Sequence, residues 1–348
     1  MGRKNKSYFK DLHQQAYDKL TSMLQAGEGQ SKKAAKLDGS IKYKIFSYQT
    51  YRTYWQHIKY FLGWIHKVHP ECTTLKSSRK YVNEWLQLRA DYIQNNGKHY
   101  SAWTIQTEAA ALTKLYGIDP ADPNRFVPPQ RNRNDIMRSR GKPFRDIHFN
   151  EQNNSELVAF CRGTGCRRNV LQKLEGKDLW TRGEMETELT SLKKRSNPTD
   201  AENNYRKILG EALRIFPDQD LFIHHRKDKG GKFRFAPVIG PDRQAIVNRF
   251  KEIKPDEKVW GYVSSNADIH SYRADYATRV YRMYARDLKE IPYDKVHKGL
   301  GYRYQSDVYR CRKDEKGKKL DRRALYITSK ALGHNRVEVV ADHYLRNL

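Results

Sequence analysis

The sequence predicts a mainly α protein in two domains, with a small β-sheet or hairpin confined to the second. Three observations lead there. Apolar residues recur at helical spacing through the first 118 residues, four prolines (Pro120, Pro123, Pro128, Pro129) interrupt that pattern, and one alternating run surrounds a Gly-Gly pair at 230–231. A chain of 348 residues is long enough to bury two cores.

Composition selects the partner before any motif does. The chain carries 67 Lys and Arg against 40 Asp and Glu, a formal net charge of +27, with 12 His outside that count. Such a field attracts polyanions, and nucleic acid is the economical one. Each phosphate neutralised releases condensed counterions, so about six contacts would weaken binding by roughly a thousandfold between 50 and 200 mM salt. No stretch approaches the roughly 18 apolar residues of a spanning helix and no lipidation signal is present, so a membrane partner is not expected. The N-terminal M-G-R-K-N-K-S-Y lacks the apolar core of a secretory signal, which predicts a protein that stays inside the cell. Cys72, Cys161, Cys166 and Cys311 fit that compartment as reduced thiols, and Cys161 and Cys166 have no matched second pair to build a zinc site. Apolar residues at 38% and 23 tyrosines argue for folded cores.

The first domain, 1–118, reads as four or five helices. Their apolar stripes are Phe9, Leu12, Ala16, Leu20 and Met23; Tyr51, Tyr54, Ile58, Phe61 and Leu62; Val82, Trp85, Leu86 and Ile93; and Ile105, Ala109, Leu112 and Tyr116. The Gly-, Ser- and Lys-rich segment 25–40 is expected to be exposed and mobile. Tyr51, Tyr54, Trp55, Phe61 and Trp64 are expected in the core rather than as a base-stacking platform. The linker, 119–146, begins with the proline cluster, which cannot continue a helix. Its second half, 131–146, holds six positive charges and two negative, including Arg131, Arg133, Arg138, Arg140 and Lys142 as candidate DNA contacts. A clamp around the duplex and a solvated tether are both open readings of it.

The second domain spans 147–348. Glu156, Leu157, Phe160 and Cys161 predict a helix that ends in a glycine turn just before Arg167. A polar, helix-forming segment follows from 181 to about 217. The run L-F-I-H-H-R-K-D-K-G-G-K-F-R-F-A-P-V (221–238) is the clearest hairpin of the chain, with Lys227, Lys229 and Lys232 at or near its tip. A hairpin with so basic a tip can reach into a groove, which makes Lys227 and Lys232 candidate DNA contacts, and a tip lysine serves either as a proton donor or as protection for a strand edge. His270 and Arg273, three apart, share one face at the start of a helix whose buried stripe is Tyr276, Val280, Met283 and Leu288. The C-terminal run A-L-G-H-N-R-V-E-V-V-A-D-H-Y-L places His334 in a Gly-His turn and Tyr344 ten residues beyond it.

Taken in order, G-x-R at Arg167, a hairpin lysine, H-x-x-R, L-G-H and a near-terminal tyrosine resemble the tyrosine recombinase family, the phage integrases. The resemblance covers about 140–348 in detail and extends loosely to the first domain, which is similar to the core-binding domain of that family. It implies a helical core-binding domain followed by a tyrosine recombinase catalytic domain. Carried over, Arg167 and Arg273 grip the scissile phosphate, with His270 and His334 beside them. Lys229, eight residues before Pro237, protonates the leaving 5′ oxygen, and Tyr344 is the nucleophile. No metal and no other cofactor is expected. The implied protein is a site-specific recombinase or integrase of a mobile element in a bacterial, nucleoid-associated setting. It would act on double-stranded DNA as a synaptic tetramer through a 3′-phosphotyrosine and a Holliday junction, with a directionality factor as a further candidate partner.

Several positions depart from the family pattern. An acidic residue commonly follows the first arginine by three, but here that position is Val170, so Glu175 and Asp178 become candidates to support Arg167. Segments 181–217 and 288–326 read as insertions, the second carrying eight positive charges in 310–323. That stretch is either a DNA contact or a solvated loop. Four residues follow Tyr344, little for a neighbouring protomer to exchange, and no β-rich arm-binding domain is expected before the first bundle. Two alternatives stay open: a type IB topoisomerase-like relaxing enzyme, and a DNA-binding protein without catalysis.

Overall fold

A computed structural model of the chain describes residues 11–95, 97–131, 149–228, 232–291, 307–312, 315–345 and 348, and of Lys227 and Lys232 the backbone alone. Two compact units compose the chain, one within Met1–Ile136 and one within Met137–Leu348. The architecture is mainly helical, with a three-stranded antiparallel sheet and a separate two-stranded hairpin.

The first unit is built on four longer helices, α1 (Leu12–Gly27), α3 (Tyr48–Val68), α5 (Val82–Asp91) and α6 (Ala102–Tyr116), with α2 (Lys32–Leu37) and α4 (Leu75–Ser78) as short pieces between them. The predicted stripes supply its core, Ile93 apart and with Phe9 outside the described residues: Leu20, Ile58, Phe61, Leu62, Ile105 and Leu112 are fully buried. Asp11, Ser31, Ser47, Thr74 and Ser101 cap helix N-termini by accepting backbone N–H groups. Among the described residues one acidic side chain lies in this core. Glu108 is fully buried and accepts from Trp85 Nε1 at 2.7 Å and Arg89 Nε at 3.3 Å, which offsets its desolvation.

Two details depart from expectation here. Segment 25–40 is exposed at all but Gly27, Ala35 and Ser40, as expected, but Ser31 starts α2 within it. Gly27 touches the backbone of Ile45 so closely that a Cβ would lie 2.2 Å from its carbonyl oxygen, which ties this segment down. Ile93 is 60% exposed, since α5 ends at Asp91 before the stripe reaches it. Of the aromatic stripe, Tyr51 and Phe61 are buried, and Tyr54, Trp55 and Trp64 pack against the same core. Arg133, Arg138, Arg140 and Lys142 lie outside the described residues, whereas Arg131 rests its guanidinium 5.8 Å from the ring of Trp103.

The second unit opens with α7 (Ser155–Thr164) and α8 (Arg168–Leu171), followed by β1 (Leu179–Thr181), α9 (Arg182–Lys193) and α10 (Asp200–Ile215). Capping boxes at Thr181/Glu184 and Thr199/Glu202 start α9 and α10, so the polar 181–217 segment is a packed helix pair. Strands β2 (Leu221–Asp228) and β3 (Lys232–Pro237) form the predicted hairpin, and the sheet order is β1-β2-β3. Helices α11 (Arg243–Lys251) and α12 (Ile269–Tyr284) precede β4 (Val308–Arg310) and β5 (Lys319–Asp321), and α13 (Arg322–Ala331) and α14 (Val337–His343) complete the unit. The basic 310–323 run is therefore largely a hairpin and the start of α13, not an open loop. Its Asp321 is fully buried, caps α13 and pairs with Arg286 at 2.9 Å. In α12 the stripe holds at Tyr276 and Val280, but Met283 is 50% exposed and Leu288 lies beyond the helix end.

The strand register carries a detail that decides the site. His225 pairs with Arg234 and Asp228 pairs with Lys232, so β2 spends three residues where β3 spends two. Such a bulge reverses the alternation of faces. Asp228 thereby joins His225 and Arg234 on one face. His224 faces the other way, stacked on Phe235 with ring centroids 4.6 Å apart.

Two apolar clusters fill the second unit. One gathers α7, α8 and α11, the other α9, α10, α13 and α14, and α12 belongs to both through Ile269 and Tyr272 at one end and Tyr276, Ala277 and Val280 further along. The N-terminal turn of α12 is thus held between two cores. At seven residues α14 is too short to persist alone; the burial of Val340, Ala341 and Leu345 secures it.

Candidate active site

The first arginine is positioned by a glycine turn. Gly165 ends α7 with a φ of +58°, a left-handed conformation that favours glycine, and its N–H donates to Cys161 O at 2.9 Å. A Cβ there would lie 2.3 Å from Cδ1 of Tyr276, so glycine also permits α7 to close on α12. Arg167 follows as the N-cap of α8. Its Nη1 donates to Asp228 Oδ2 and its Nη2 reaches Leu332 O at 3.5 Å. Its neighbour Arg168 donates to Ala267 O at 2.6 Å and Ser265 O at 3.2 Å, fastening the loop that leads into α12.

The second arginine lies deeper. Arg273 is 2% exposed, and its Nη1 and Nη2 donate to the carbonyls of Gly165 and Leu332, the two turns on either side of it. Its Nε is 3.4 Å from Tyr344 Oη. Burial pulls its pKa below the ordinary arginine value, while the Tyr344 hydroxyl beside it pushes the other way. Arginine stays charged through a shift of this kind.

Two histidines flank the tyrosine. His334 follows Gly333, whose φ of +68° completes the turn after α13, and its Nε2 is 3.3 Å from Tyr344 Oη. His270, in the first turn of α12, stacks on the Tyr344 ring with centroids 5.3 Å apart and planes 23° from parallel. Tyr344 caps α14 and is 8% exposed, between the buried Ala341 and Leu345. Arg167, Arg168, Asp268, His270, Arg273, His334 and Tyr344 line one cleft of about 480 Å³.

The structure brings Arg167, His270, Arg273, His334 and Tyr344 together from four separate segments. Lys229 lies outside the described residues, as do the side chains of Lys227 and Lys232. Neither Glu175 nor Asp178 supports Arg167. Both pair with Arg226 instead, each at 2.7 Å, because β2 carries that arginine toward the turn that holds them. The carboxylate that pairs with Arg167 is Asp228, which, like Arg234, no local motif in the sequence marks. His343 is exposed and is absent from the cleft lining.

Behind the cleft, Arg234 donates from Nε to Asp228 at 3.2 Å and from Nη1 to Ala331 O, with Nη2 3.2 Å from His225 Nδ1. Burial and the Arg273 charge pull Arg234 down to about 10, which leaves it protonated at neutral pH. Burial foremost, with the same arginines, holds His225 neutral. All four cysteines are free and buried, and burial pushes the Cys166 thiol up to about 11. Among the described residues no group of three His, Cys, Asp or Glu side chains is arranged to hold a metal ion, and no helix is long and apolar enough to cross a membrane.

Three guanidinium groups, two imidazoles and a phenol thus converge with one buried carboxylate between two of the arginines. Such a set has the donors to hold an oxyanion and a hydroxyl to present to it. No family model matches the chain, and no curated protein is significantly similar to it.

Proposed function

We propose that this protein cuts and rejoins DNA through Tyr344, as a site-specific recombinase or integrase of a mobile element. The observation that carries the reading is the placement of Tyr344 Oη within 3.4 Å of Arg273 Nε and 3.3 Å of His334 Nε2, in a cleft shared with Arg167 and His270. The formal charge of +27 supports a polyanionic partner.

In this reading the phenolic oxygen attacks the scissile phosphorus, forming the Tyr344 O–P bond as the P–O5′ bond breaks. His334 Nε2 is within reach to take the phenol proton, and Lys229 gives a proton to the departing 5′ oxygen. The pentavalent transition state carries more negative charge than the diester. Preorganised guanidinium and imidazole donors stabilise it by about 3 to 4 kcal/mol each. The planar fork of arginine can hold two phosphate oxygens at once, which lysine cannot do at 167 or 273. The phosphotyrosine conserves the bond energy for religation to a second strand. A helical core-binding domain before a catalytic domain, synapsis as a tetramer and passage through a Holliday junction complete the proposal.

The test is a nicked duplex carrying candidate element-end sequence, from which the short cleaved fragment diffuses away. A denaturation-resistant protein–DNA adduct, lost in Tyr344→Phe, supports strand transfer. Tight binding without an adduct on an authentic site overturns it in favour of a DNA-binding protein. Relaxation of supercoils without paired sites favours the topoisomerase-like alternative.

A further inference from the structure

We propose that Asp228 is a positioning residue that aims Arg167 at the scissile phosphate, brought to that task by the bulge in β2. The proposal rests on the strand-transfer reading. Asp228 is 4% exposed and pairs with both Arg167 and Arg234. A carboxylate at that depth costs several kcal/mol in lost hydration unless cations hold it. It does not line the cleft, so it acts on the substrate only through the arginine it holds.

The bulge decides which arginines Asp228 meets. With unbroken alternation, residue 228 would share the face of His224, among Trp180, Tyr205, Phe233 and Phe235. The extra residue between His225 and Asp228 turns the carboxylate to the Arg234 face, from which it reaches Arg167. Position 170, one turn into α8, offers no substitute, because Val170 is buried in the apolar cluster.

Asp228 also links two parts of the cleft. Arg234, its second partner, donates to Ala331 O and packs against Gly333, where a Cβ would lie 2.6 Å from Arg234 Nε. The hairpin, the Arg167 turn and the turn before His334 are therefore joined through one carboxylate. That carboxylate also separates like charges. Without it, Arg167, Arg234 and Arg273 would face one another with the repulsion unrelieved at that point.

The experiment measures single-turnover adduct formation by the full-length protein on two nicked duplexes, one with a normal scissile phosphate and one with a methylphosphonate there. The methylphosphonate lacks the negative charge that Arg167 opposes. On the phosphate, Asp228→Ala should slow adduct formation by about 100-fold, the scale of a misplaced catalytic group, with DNA affinity retained. On the methylphosphonate, Asp228→Ala and Arg167→Ala should both come within about threefold of the unmodified protein, since the anionic oxygen that Arg167 opposes is gone and the smaller charge that develops on the remaining oxygen is met by Arg273 and the histidines. Asp228→Asn, isosteric and uncharged, gives the same comparison if the alanine variant unfolds. An Asp228 variant as fast as the unmodified protein on phosphate overturns the proposal, and so does an equal loss on both substrates, which marks a general structural defect. Absence of any adduct from the unmodified protein removes the strand-transfer reading itself, a distinct result.

Discussion

Nε of Arg273 lies 3.4 Å from the phenolic oxygen of Tyr344, while the other two nitrogens of the same guanidinium hold the carbonyls of Gly165 and Leu332. One side chain therefore fixes the tyrosine to the turns before Arg167 and His334. Arg273→Lys retains a charge but loses the planar fork, and adduct formation should fall by about 100- to 1,000-fold. Tyr344→Phe should abolish the adduct while leaving DNA affinity within about twofold, because it removes one hydroxyl and no charge. Quenched-flow adduct assays beside equilibrium binding check both variants.

DNA binding should depend steeply on salt. With about six phosphate contacts, affinity should fall roughly a thousandfold between 50 and 200 mM salt, on any duplex sequence. Fluorescence anisotropy at four salt concentrations gives the slope, and a flat line would contradict the polyanion reading of the +27 charge.

Folding stability should decline with acid below pH 6.5. Burial, aided by the Arg226 charge, holds His224 down to about 4 against an ordinary 6.5. The unfolded chain then takes up a proton that the folded protein refuses. The contribution is complete above pH 6.5 and is lost toward pH 4 at about 1.4 kcal/mol per pH unit. His224→Phe preserves the stack on Phe235 and should flatten part of that slope in urea titrations at several pH values. His225, also held low by burial, contributes in the same direction.

Gly165→Ala should destabilise the second unit by about 2 to 4 kcal/mol, combining a left-handed backbone with a clash against a buried ring. The clash is with Tyr276, whose hydroxyl donates to Pro237 O at 2.8 Å and so anchors that ring. Calorimetry gives the loss in Tm. Adduct formation should fall as well, because Gly165 O is one of the acceptors that orient Arg273.

Much of the helical pattern was legible from periodicity alone. Leu12, Ala16, Leu20 and Met23, like Ile105, Ala109 and Leu112, lie where a 3.6-residue repeat places them, because a helix with one apolar face has one way to bury it. Periodicity failed at ends and in polar segments. Ile93 and Leu288 continue the spacing of their stripes but fall beyond the helices, and α2 forms inside a segment whose composition resembles a loop. A local signal does exist for α2, Ser31 as its N-cap, whereas no Gly or Asn marks the end of α5 at Asp91.

What the sequence by itself determined is five of the residues that line the cleft: Arg167 after its glycine turn, His270 and Arg273 on one helix face, His334 in its Gly-His turn, and Tyr344 ten residues further on. None is marked by its own few neighbours; their order along the chain, and the resemblance that order carries, singled them out, while Arg168 and Asp268 in the same cleft went unnamed. Only the tertiary structure decided that Arg167 is held by Asp228 and not by Glu175 or Asp178. The physical reason is the bulge in β2. A single extra residue reverses which face a strand presents, and no alternation of residue types in H-H-R-K-D announces it. A carboxylate finds its cation by proximity in three dimensions, and that proximity was set by strand register and by the burial that left Asp228 no other medium to share.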